Sequence, residues 1–158
     1  TKSEETKRVT QLMISKVFID ATALEAFLVS DSQWNSWVGQ SLKQVKPPLF
    51  SCQAVMEVVS TRVQHHPAGL RALKRFLESG TLRMAGSLDE FYPLIFRLMN
   101  QFRDIPMTFS EACLTVLCDQ VKESRILTVR SEFRTHFHYS DRRKIRLICP
   151  DPDVKSPA

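Results

Sequence analysis

Hydrophobic positions along this chain switch repeatedly between a strand-like run and a helical spacing. Residues 16–20 (KVFID) form a short apolar run closed by an acid. From residue 21 to 29 the spacing is helical, with Leu24, Phe27 and Leu28 on one side. Residues 31–42 suit a second helix, with Trp34, Trp37, Val38 and Leu42 as its apolar face, and Pro47-Pro48 stops it. Residues 49–50 suit a short strand. Ser51 is suited to cap a helix running to about residue 65. Pro67 opens another, with Leu70, Leu73 and Leu77 at helical spacing, and Gly80 ends it. Residues 81–84 predict a strand. Ser87-Leu-Asp-Glu90 is a capping-box pattern before a helix over 91–102, which reads as core. Ser110 is placed to cap a helix through 121. Strands follow at 125–128 and 145–149, with a short helix or turn at 132–137 between them.

Strands separated by helices predict an α/β protein, a three-layer α/β/α sandwich around a short parallel sheet. Ligands of such sheets bind beyond the C-terminal ends of the strands. The residues this selects are Asp20, which ends the first strand, and Thr128, which ends the penultimate one. Glu57 and Glu111 lie on helices that follow candidate connections.

Composition narrows the class. The 158 residues are 43% hydrophobic and 25% charged, which suits one globular domain with a sizeable core and excludes a disordered tail. We expect the first ten residues and the tail from Pro150 to be frayed. No apolar run is long enough to cross a bilayer, and the polar opening residues do not resemble a signal peptide. Cys52, Cys113, Cys118 and Cys149 form no C-x-x-C pair, and three of them lie in apolar runs. That pattern argues against a zinc site or disulfide framework and for reduced, buried thiols in a cytoplasmic protein. His65-His66 and His136-x-His138 read as surface positions, not as a metal site.

The charge is unevenly placed. Of 22 basic and 17 acidic residues, eight basic and three acidic ones fall between Lys122 and Arg146, leaving 14 of each elsewhere. The whole net charge of +5 is therefore local. A basic patch of this kind suits a polyanion such as RNA.

Each acid has an ordinary explanation. Asp20 can cap the helix that follows it, although Thr22 could do so instead. Glu57 shares a polar helix face with Gln53, Ser60 and Gln64. Glu111 in a first helical turn favours the helix dipole. Taken together, they form a pattern of acids that converge beyond a parallel sheet. Converging carboxylates repel one another unless a hard cation such as Mg²⁺ or Mn²⁺ joins them. Such an ion can activate water against a phosphate.

At this point the chain resembles the PIN domain nucleases, which include the VapC-like toxins of toxin–antitoxin pairs. VFIDATALEAFL is similar to the family's hydrophobic-Asp-x-Ser/Thr opening, and SCQAVMEVVS to its helix bearing the second acid. The most specific stretch is RDIPMTFSEACLTVLCDQVKESRILTVRSEFRTHF through IRLICP. It is similar to a subgroup that reads Asp-x-Pro-Met-x-x-Ala-Asp-Ala-x-Leu, then Leu-Thr-x-Asp-Ser-Asp-Phe, and ends Ile-x-Leu-hydrophobic-x-Pro. The likeness spans about residues 16 to 150.

The resemblance implies a metal-dependent endoribonuclease that holds Mg²⁺ or Mn²⁺ on Asp20, Glu57 and Glu111. Glu132 would orient water or a second ion. Thr22, Thr128 and Asp104 would line the site, and Arg130 and Arg134 would hold the RNA backbone. It also implies an antitoxin protein as partner, and a homodimer. The chain departs from the family in two places. Glu111 stands where the subgroup has Asp, and Arg130 where it has an acid after the strand-end Thr. A guanidinium cannot ligate a metal. These departures open the alternative of a degenerate PIN domain that binds RNA or a protein without cutting.

Overall fold

The protein is described by a computed structural model over residues 16–101, 107–130 and 146–151. The expected turn at 132–137 and the residues Asp104, Glu132 and Arg134 lie outside the described residues. In chain order the elements are β1 (Lys16–Ile19), α1 (Ala21–Leu28), α2 (Asn35–Lys43), β2 (Leu49–Ser51), α3 (Gln53–Val63) and α4 (Pro67–Glu78). They continue with β3 (Leu82–Met84), α5 (Leu88–Gln101), α6 (Phe109–Asp119), β4 (Ser124–Leu127) and β5 (Leu147–Ile148).

The five strands among the described residues are all parallel, in the order β3-β2-β1-β4-β5, and helices surround the sheet in a three-layer α/β/α arrangement. The expected fold class is thus the observed one. Parallel neighbours cannot be joined by a hairpin, so each crossover needs a longer connection, usually helical. The order follows from two successive steps to one side of β1 and a return to its other side. The order therefore reverses at the β1–β4 seam. Residue partners there run from Lys16↔Ser124 to Ile19↔Leu127.

β1 is buried on both faces: Val17, Phe18 and Ile19 are all in the core. That is why it reads as continuous hydrophobicity and not as alternation. α6 is surrounded too, with every residue from Ser110 to Cys118 buried. A helix apolar on all sides is a central helix. α3 buries Val55, Val59 and Val63, one residue per turn, and leaves Gln53 and Glu57 exposed.

Several local expectations are corrected. Ser51 does not cap α3. It closes β2, is buried, and donates its hydroxyl hydrogen to the Ile19 carbonyl at 3.0 Å, so Cys52 takes the cap position. Ser110 does not cap α6; Thr108 does, in a reciprocal box with Glu111. The second helix begins at Asn35, because residues 30–34 form turns. α5 is not a core helix. Ile95 is its one fully buried residue, while Leu88, Tyr92 and Phe96 are each more than half exposed. α4 buries Leu73 but leaves Leu70 and Leu77 each about 42% exposed.

Gly86, between β3 and α5, has φ +67°. A Cβ placed there would lie 2.4 Å from Leu117 Cδ2 and 2.9 Å from Phe91 Cε2. Two costs coincide, left-handed backbone and overpacking against α5 and α6. Gly86→Ala is expected to destabilise the fold by roughly 2 kcal/mol. Equilibrium urea denaturation measures this, and a midpoint equal to wild type would contradict the tight packing of α5 on α6.

Candidate acidic site at the C-terminal edge of the sheet

The β1–β4 seam ends in two polar residues side by side. Asp20 follows β1 and Thr128 follows β4, and both are buried. Backbone bonding carries one step past the strands, with Asp20 N–H donating to Leu127 O at 3.1 Å and Thr128 N–H to Ile148 O at 3.0 Å. The two side chains therefore meet at the topological switch point, where sheets of this kind hold their ligands.

Asp20 does two jobs. Its Oδ1 accepts from the Ala23 amide at 2.9 Å, which caps α1, and from Thr22 Oγ1 at 2.8 Å. Its Oδ2 accepts a short bond from Thr128 Oγ1 at 2.5 Å. Capping and facing the seam are thus compatible, one oxygen for each. Thr22 Oγ1 also accepts from the Val129 amide at 3.3 Å, and Thr128 Oγ1 accepts from the Arg130 amide at 3.0 Å. These bonds tie the start of α1 to the loop after β4.

Glu111 comes to the same edge from α6. Its backbone N–H donates to Thr108 Oγ1, and its Oε2 accepts from the Thr108 amide, both at 3.2 Å. The capping box fixes the carboxylate against the helix start. Oε1 is left facing outward, and Arg130 Nη1 forms a salt bridge to it. The Glu111 side chain is buried, while Arg130 is about one third exposed.

Burial pushes the Asp20 carboxyl above its ordinary value. Hydrogen bonds from Thr128, Ala23 and Thr22 act in the opposite direction, and the negative charge of Glu111 adds to the rise. So Asp20 and Glu111 are close enough to repel, as expected of two carboxylates that share a site.

Glu57 sits in the second turn of α3. It is exposed on α3, and its carboxylate has no hydrogen bond or ion pair among the described residues. It borders a cavity of about 230 Å³ between α3, α5 and α6, whose lining includes neither Asp20 nor Glu111. Hydrogen bonds and the ion pair therefore link Asp20, Thr22, Thr128, Arg130 and Glu111.

Comparison with known proteins adds no family. No protein-family model matches the chain, and no curated protein matches its sequence.

The donor set was the basis for expecting Mg²⁺ or Mn²⁺. Among the described residues no three Asp, Glu, His or Cys side chains converge as a metal cage. Both Asp20 oxygens accept protein donors, and both Glu111 oxygens are engaged, one of them by a guanidinium. The described residues do not fit the three-carboxylate cage. Arg130, expected to hold the RNA backbone, is paired with Glu111. Thr108 is the contributor that sequence reasoning passed over, although Thr108-Phe-Ser-Glu111 carries the Ser/Thr-x-x-Glu signature of a capping box.

The raised Asp20 value fixes a stability prediction. A carboxyl whose folded value is raised gives stability that is complete below its unfolded value and lost as pH rises through the folded value. At neutral pH Asp20 therefore weighs against folding. Asp20→Asn removes that charge and its repulsion from Glu111, and is expected to stabilise the fold by roughly 1 kcal/mol at pH 7. The gain should shrink on acidification and vanish below the unfolded value of about 3.9. Thermal denaturation as a function of pH checks it, and a destabilised Asp20→Asn at pH 7 would contradict the burial argument.

Proposed function

We propose that this chain is a PIN-type domain that binds RNA at the C-terminal edge of its sheet without metal-dependent cleavage. The observation that carries this reading is the salt bridge between Arg130 and Glu111. A guanidinium on the third acid supplies positive charge where the resembled family gathers carboxylates around a cation. It is held there permanently, since arginine stays protonated at any ordinary pH.

The chemistry of the remaining groups supports binding. Asp20 fastens α1 to the loop after β4 and so sets the shape of the edge. Of the described basic residues between Lys122 and Arg146, Arg130 lies at this edge, just past β4, while Lys122, Arg125 and Arg146 stand at the starts of β4 and β5. Phosphate contacts made by Lys and Arg give affinity that falls steeply with salt and depends little on base identity.

A second reading is the metal-dependent endoribonuclease itself, in which an antitoxin would cover the site. It is favoured by the buried Asp20 carboxylate beside Thr22 and Thr128, at the switch point and under repulsion from Glu111. A divalent ion would relieve that repulsion.

Two experiments separate the readings. Incubation of single-stranded RNA with Mn²⁺ or with EDTA is expected to give salt-sensitive binding that is equal in both, with no cleavage. Cleavage that needs Mn²⁺ and disappears in Asp20→Asn would establish the second reading instead. Arg130→Asp tests the internal cation. Without metal it should destabilise the fold by roughly 2 kcal/mol, since Glu111 loses its partner and a like charge is added. With Mn²⁺ at about a hundredfold over its Kd it should regain on the order of 2–3 kcal/mol, while wild type gains nothing. Equal Mn²⁺ stabilisation of both proteins would contradict the role given to Arg130.

A further inference from the structure

The cavity bordered by Glu57 holds a feature that the RNA-binding reading does not use. Cys52 and Cys113 both line it, although they lie far apart in sequence. Cys52 occupies the cap position of α3, and Cys113 sits in the second turn of α6. Both are reduced, and each side chain is 5% exposed. Buried thiols in apolar surroundings are ordinarily inert. Here three conditions differ.

The first is access. The cavity of about 230 Å³ is several times the space one water occupies, and exposed Gln53 and Glu57 stand on its border. The second is position. A sulfur at a helix N-terminus lies in the positive end of the helix dipole, which favours the thiolate. The third is the second thiol. Interaction with the Cys113 thiol is the largest influence on Cys52 and, with the Val55 and Ala54 amides, holds its thiol below the ordinary value against the effect of burial, while the same interaction and burial push the Cys113 thiol up.

We propose that Cys52 and Cys113 form a peroxide-sensitive dithiol, with Cys52 as the nucleophile and Cys113 as the resolving thiol. The Cys52 thiolate attacks one oxygen of hydrogen peroxide. The S–O bond forms, the O–O bond breaks, and hydroxide leaves to be protonated to water. The Cys113 sulfur then attacks the Cys52 sulfenic acid. The S–S bond forms, and the sulfenic oxygen leaves as a second water with the Cys113 proton. In total, two thiols lose two electrons and two protons, and one peroxide is reduced to two waters. The product bridges the start of α3 to α6.

Cys118 and Cys149 are internal references. Cys118 is buried and bonded to Ser124, and Cys149 lies half-buried after β5. The test treats the full chain with hydrogen peroxide and maps cysteines by mass spectrometry without reduction. The expected product is a Cys52–Cys113 linked peptide that dithiothreitol reverses, with Cys52 consumed at least about tenfold faster than Cys118. Cys113→Ser should instead accumulate a dimedone adduct at Cys52, and Cys52→Ser should leave Cys113 unmodified. If Cys113→Ser does not fold, the wild-type map decides alone. Oxidation of Cys52 no faster than that of Cys118, or a bridge formed by other cysteines, would overturn the proposal.

Discussion

A carboxylate buried at the end of the central strand constrains everything around it. Asp20 has no bulk water to solvate it, so the protein must supply donors from several directions. α1 provides an amide, Thr22 one hydroxyl and the end of β4 another. Meeting that need forces β1 and β4 to end level and α1 to start where it does. It also holds the loop carrying Arg130 against the seam, because Thr128 accepts the Arg130 amide. One buried group thereby couples strand register, helix start and loop position. Such coupling is costly in stability at neutral pH, and groups kept at such a cost are concentrated where proteins act.

The second acid is balanced differently. Glu111 spends one oxygen on capping α6 and the other on Arg130. A metal cage and an ion pair are alternative answers to the same repulsion between neighbouring carboxylates. A cage needs further oxygen ligands, whereas a guanidinium brings its charge covalently attached to the chain. Glu57 faces solvent in the second turn of α3. On the proposed reading, this ion pair takes the place of a hard cation at the edge.

Much of this architecture was legible in the sequence, and the exceptions share a cause. Strand runs such as Val17-Phe18-Ile19 identify themselves because burial on both faces leaves no polar position. Asp20 and Thr128 were legible because they follow those runs directly. The misplaced caps at Ser51 and Ser110 are competitions between neighbouring hydroxyl or sulfur residues, decided by tertiary contacts. Ser51 is drawn to the Ile19 carbonyl across the sheet, and Thr108 is completed by Glu111. α5 misled because its apolar residues are numerous, yet most face outward. The pairing of Arg130 with Glu111, and of Cys52 with Cys113, depends on distant segments meeting, which local pattern does not encode.

In the proposed reading the Arg130–Glu111 pair stands where a divalent ion would otherwise sit. Titration of the wild-type protein with Mn²⁺, followed by electron paramagnetic resonance of the free ion, tests this without any substrate. No saturable binding is expected near neutral pH, with free Mn²⁺ signal rising in proportion to the amount added. A stoichiometric site that Asp20→Asn abolishes would contradict that reading and return the acidic edge to metal-dependent chemistry.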